Sequence, residues 1–178
     1  MFKNRRHRKK HYKPTTQLTI IRLIMAIGLA GIDAIWSLYL DSFGIKDSSI
    51  GFISSALVIL ALLTSFFSTP ILEKFSEYKI LILSTLAYIV SYLSIAIFQN
   101  IYVFIGLSAF LTVAAVFRIE SFDILFRDEA KNKTLNQEEG FLYALVNIGW
   151  LTGPLIAGFV MAKFGISSVF YSTAIFIS

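Results

Sequence analysis

Cysteine is absent from the 178 residues, which removes disulfides, thiol nucleophiles and cysteine metal sites together. Histidine is nearly absent too. Its two copies, His7 and His11, fall in a basic N-terminal stretch, so no apolar segment holds a histidine that could bind metal or relay protons. Charged residues make up only 15% of the chain, and many sit in the first thirteen positions. A water-soluble domain of this length needs a charged shell around its core, and the remainder of this chain has too little charge to make one. No H-E-x-x-H pattern and no Walker A loop occurs, so neither a zinc protease nor a nucleotide-driven motor is encoded here. No cofactor site and no nucleophile–base constellation is evident, and the reading is of a protein that is not an enzyme.

What the chain has instead is apolar bulk. Hydrophobic residues reach 56% and aromatic residues 15%, with a mean hydropathy of +0.72. These residues come in long continuous runs, where a membrane β-barrel would show alternating strands of about ten residues. A span needs about 20 mainly apolar residues. The runs predict helices over about 18–43, 50–72, 80–98, 101–126, 140–162 and 166–178, after a basic tail over 1–17. The expected fold is an all-α membrane protein, a bundle of six helices. The last run holds thirteen residues, which span roughly 20 Å against a hydrocarbon core of roughly 30 Å, so the sixth helix is expected to be cut short.

Net charge is +5, which could suggest a nucleic-acid partner, but its placement argues otherwise. Lys3, Arg5, Arg6, Arg8, Lys9, Lys10 and Lys13 precede the first span and read as a cytoplasmic anchor obeying the positive-inside rule. With that tail inside, the inner connections carry Lys74, Lys79, Arg127, Lys131 and Lys133, and the outer ones only Lys46 and Lys163. The expected location is therefore the cell (plasma or inner) membrane with a cytoplasmic N-terminus. The sequon Asn132-Lys133-Thr134 then lies on the wrong side for glycosylation and reads as chance. The lipid bilayer is the first partner; nucleic acid is not one.

Charges inside the spans single out functional candidates, because an ionised side chain at the bilayer centre costs a few kcal/mol or more, on the order of 3 on insertion scales. Asp33 stands alone in the middle of the first run and is expected near the midplane, as a substrate or proton site or as half of a packing salt bridge. The fourth run carries Arg118, Glu120 and Asp123 in its inward half. At 100° per residue, Arg118 and Glu120 project to nearly opposite sides, and Asp123 shares a face with Glu120. A helix with charge on two faces can hardly border lipid. The third run, with no charge between Ile80 and Phe98, reads as the lipid-facing element. On the fifth run, Tyr143, Asn147 and Trp150 are candidate cavity-wall residues, or ordinary packing.

Gly140, Gly149, Gly153-Pro154 and Ala157-Gly158 follow the spacing G-x8-G-x3-G-P-x2-G-G, with Ala157 in place of one glycine. This resembles the antiporter motif of the major facilitator superfamily. Glycines at such spacing let helices approach closely, and Pro154 removes a backbone donor within the span. The link between the second and third runs, from Thr69 to Lys79, is similar to that family's inner-loop gate motif through Glu73 and Lys74, although both of the motif's glycines are missing. The resemblance implies the N-terminal half of a twelve-helix secondary transporter, most similar to the proton-coupled antiporter and efflux branch. On the placement of charge, Asp33 would be the proton site, Arg118 its counter-charge, and Glu120 with Asp123 part of an inner gate or a second proton site; Arg118 comes too late in its run to match the family's arginine near the start of helix four. The resemblance also implies a small-molecule substrate, protons, and either a missing C-terminal half or a second copy as partners. The alternative is a membrane scaffold or truncated pseudo-transporter that transports nothing.

Overall fold

The computed structural model describes residues 14–130 and 135–178. The tail cations up to Lys13, and Lys131 with the sequon 132–134, lie outside the described residues. Six helices follow one another: α1 (Pro14–Asp41), α2 (Asp47–Leu72), α3 (Glu77–Phe98), α4 (Ile101–Glu129), α5 (Leu135–Phe164) and α6 (Ser167–Ile177). The first five are long and apolar enough to cross a membrane, and α6 is the short one.

Each long helix overruns its apolar stretch by several polar residues. α1 opens at Pro14, whose fixed φ and missing N–H suit a first helical turn. α4 runs on through Arg127, Asp128 and Glu129, and α5 starts within the polar segment, ahead of Glu138 and Glu139. Arg127 at a helix C-terminus and Glu138 at a helix N-terminus each oppose the local backbone dipole. An ion pair of 3.3 Å from Arg127 to Glu139 ties the two ends together.

The connection between α3 and α4 is the tightest. Gln99 closes α3 in the left-handed region at φ 42°, and its N–H donates to the Ile95 carbonyl. Asn100 then caps α4, its side chain accepting from the backbone N–H groups of Tyr102 and Val103.

α1 lies at the centre of the bundle, packed chiefly on α5 and also on α6, while α3 pairs with α4 and α6, and α2 leans on α4. The α1–α5 seam is made of small residues. A Cβ added to Gly153 would collide with the Ile27 carbonyl oxygen and stand 2.7 Å from the Ala30 Cβ. One at Gly149 would stand 2.9 Å from the Ala26 Cβ and 3.1 Å from the Leu23 carbonyl oxygen. From the α1 side, Gly31 meets Ala157 in the same way. The stripe 149, 153, 157 has the i, i+4 spacing that keeps one face in register. Gly140 and Gly158, expected to share in this packing, do not: a Cβ at either would meet nothing within 4 Å. They lie off the stripe, so the seam uses the middle of the motif and not its ends. The helix continues through Pro154.

α6 reaches α1 by a different contact. Gly28 sits against Phe176 and Thr173, and the Thr173 hydroxyl donates to the Gly28 carbonyl over 3.1 Å.

α3 packs on α4 and α6 by one face and leaves the other open. Ser84, Tyr88, Ser91, Tyr92, Ile95 and Ala96 are buried against α4 and α6, and only the opposite side, with Leu83, Val90 and Ile97, is exposed. α2 is the most exposed span, with only Ile50, Ser68 and Leu72 buried. Charge content could not distinguish the two, because an uncharged face can meet lipid or protein equally well.

Candidate functional site

The residues that carry chemistry fall in three places along the bundle. At the Asp41 end is an aromatic block. Phe104 of α4 contacts Trp36 and Tyr39 of α1, each with ring centroids 4.7 Å apart, and Tyr39 meets Phe170 of α6 at 4.8 Å. Trp36 donates its indole N–H to Ser54 of α2 over 3.3 Å. Such edge-on and tilted contacts are the favourable aromatic arrangements.

Below that block lies a pocket of about 300 Å³ whose walls include Trp36, Tyr88, Tyr92, Phe104, Ser108 and Thr112. It is a mostly apolar chamber with a few hydroxyls, the usual character of a small-molecule site. Asp33 is exposed on α1, within electrostatic reach of the pocket residue Tyr92. It stands eleven residues after Arg22, close to three full turns of about 3.6 residues, so the two share one face of the helix. Because α1 begins at Pro14, Asp33 is about 8 Å past the middle of its helix towards Asp41, at 1.5 Å per residue, and not at its centre.

The third place is a cluster of cations deeper in the bundle. Arg118 is 4% exposed, with its guanidinium over the Tyr88 ring at 5.0 Å. Arg22 lies over the Phe122 ring at 4.7 Å. The two arginines are within electrostatic reach of each other, and Asp123, Tyr143 and Tyr88 act on Arg22 as well. Among the described residues neither arginine has a carboxylate at ion-pair distance. Arg118 Nε, Arg22 Nη1 and the hydroxyl of Ser121 are all buried without a hydrogen-bond partner.

The remaining candidates divide. Glu120 and Asp123 line a recess of about 390 Å³ with Thr69, Glu73, Glu77 and Arg127, so the loop after α2 and the end of α4 do come together. Lys74 is exposed and is not among the residues lining that recess. Tyr143, Asn147 and Trp150 lie on an exposed face of α5, away from the buried Gly149–Gly153 stripe. Asp33 and Arg118 make no ion pair, contrary to the expected counter-charge arrangement. Arg118 turns towards α3, while Asp33 stands nearer the other end of α1.

Arg22, Tyr88 and Phe122 have no place among the sequence-based candidates. The available signal was an arginine eight residues inside α1, deep enough to need a partner, with an aromatic residue one turn from the other intramembrane arginine.

No curated protein matches the chain. The family model described as Major Facilitator Superfamily matches residues 18–177, nearly all of the six-helix bundle. With its five membrane-length helices and a central helix seamed by small residues, this multi-pass membrane protein belongs to the major facilitator superfamily of transporters.

Proposed function

We propose that the chain forms one wall of a proton-coupled carrier that moves small amphipathic molecules out of the cell. The observation that carries this reading is the position of Asp33. Within an apolar bundle an ionisable residue is tolerated where it meets water or a partner, and such residues mark transport pathways. Asp33 is exposed beside a chamber of aromatic rings and hydroxyls, and has no ion-pair partner among the described residues. A carboxyl so placed can exchange its proton as the cavity opens to one side and then the other. Tyr143, Asn147 and Trp150 extend the wall along α5. Glu120, Asp123 and Glu73 form an acidic gate at the Pro14 end, which faces the cytoplasm. A second six-helix bundle, in the same polypeptide or in a second copy, supplies the facing wall and covers the exposed side chains of α5 such as Leu151 and Leu155. The outward direction draws on the resemblance of the α5 motif to antiporters.

Proteoliposome flux under an imposed pH gradient tests the proposal. Asp33→Asn removes the titrating group and leaves its shape, so proton-driven flux is expected to fall at least ~100-fold while substrate exchange without a gradient persists. Asp33→Glu is expected to retain part of the coupling. Proton-driven flux at the wild-type rate in Asp33→Asn ends the proton-site assignment.

A further inference from the structure

The paired arginines call for an occupant. Two guanidinium groups on α1 and α4 lie inside an apolar bundle, each resting on an aromatic face, and neither meets a carboxylate at ion-pair distance among the described residues. Aromatic faces attract cations, but they accept no N–H bond as strong as one to an oxyanion. Arg118 also has the Tyr88 hydroxyl within hydrogen-bonding reach, yet among the described residues the cluster retains donors without acceptors: Arg118 Nε, Arg22 Nη1 and, one turn on from Arg118, the hydroxyl of the fully buried Ser121. Buried donors are ordinarily satisfied, and two mutually repelling cations make the deficit larger. Asp123 is near enough to act on Arg22 but is not bonded to it, and it lines the acidic recess with Glu73 and Glu120.

The cluster also adjoins the aromatic chamber. Tyr88 belongs to both: one of its surroundings is the pocket, the other is Arg118. Val116 and Ile119, on either side of Arg118 along α4, line the same chamber. A ligand filling the chamber therefore has its inner end one ring away from the guanidinium.

We infer that this is an anion subsite and that the transported substrate is an amphipathic anion, a carboxylate or phosphate monoester with an apolar body. The body occupies the chamber between Trp36, Tyr92 and Phe104, and the head group displaces the edge of Tyr88 to reach Arg118 and Arg22. Guanidinium is suited to this role because its planar fork matches carboxylate and phosphate oxygens. The inference rests on the reading of the bundle as a transport wall, and it names the class of molecule that the wall selects.

Equilibrium binding to the membrane-reconstituted protein tests it, with benzoate, phenyl phosphate and the neutral benzyl alcohol as probes. The two anions are expected to bind and benzyl alcohol to bind at least ~10-fold more weakly, in line with the strength of charge-assisted bonds. Arg118→Gln and Arg22→Gln are each expected to reduce anion affinity ~10-fold or more, with Arg118→Lys recovering part of it. If Arg118→Gln does not fold, the Arg22 variant and the comparison of charged with neutral probes decide the matter. Equal affinity for benzyl alcohol and benzoate, or unchanged benzoate binding in a folded Arg22→Gln protein, overturns the inference. The two proposals fail separately: wild-type proton-driven flux in Asp33→Asn ends the proton-site assignment alone, whereas equal binding of benzoate and benzyl alcohol to the unaltered protein ends the anion subsite alone.

Discussion

The α1–α5 seam and the α2 flank are both apolar helix surfaces, yet they are built on opposite rules. At the seam, Gly149 and Gly153 bring α5 against the backbone of α1 until no room remains for a methyl group, and the Ala157 methyl lies opposite Gly31. Along α2, only three residues are buried, and rings such as Phe52 and Phe66 stand 77% and 72% exposed. In lipid, burying apolar area between helices gains little, because acyl chains are as apolar as leucine; close packing of small residues is what joins helices. The contrast places the rigid core of the bundle at α1 and α5. It leaves α2 held by its narrow stripe of inward residues and by the Trp36–Ser54 hydrogen bond.

Substitutions can break that contrast at several levels. Gly153→Leu should have the largest effect, since its first carbon already collides with the Ile27 carbonyl. A loss of about 4 kcal/mol or more, or failure to fold, is expected, measured as thermal unfolding in detergent micelles. A matched pair sharpens the comparison further. Gly149→Ala forces Ala26 and the α1 backbone to shift and is expected to cost about 1–3 kcal/mol, the range for overpacking. Gly158→Ala, in open space on the same helix, should be neutral or gain up to about 1 kcal/mol from helix propensity. The smallest change is expected on α2, where Leu62→Ala at an exposed position should move stability by no more than about 0.5 kcal/mol. A large loss there would mean that a further protein surface covers α2.

Much of the fold was readable from the chain, because continuous apolar runs of membrane length have few other interpretations. Helix ends were less so. Helices leave the hydrocarbon before they end, and polar residues such as Asn136 and Gln137 continue the hydrogen-bond ladder as well as apolar ones. Which face of α3 is buried was not legible, since Tyr88 and Tyr92 carry no charge to mark their burial. At the site, Asp33 was conspicuous as a lone acid, whereas the seating of Arg22 and Arg118 on aromatic rings, with no carboxylate at ion-pair distance among the described residues, depends on where α3 and α4 place Tyr88 and Phe122. Spacing along one helix carries no information about a ring contributed by another.

The cap at Asn100 and the left-handed Gln99 make α3 and α4 a hairpin with almost no slack between its legs. Two legs hinged so tightly at one end have little freedom to slide past each other lengthwise. Any tilt of that hairpin therefore carries the cation and its aromatic cover together, and what parts them is rotation of the Tyr88 side chain rather than movement of the helices.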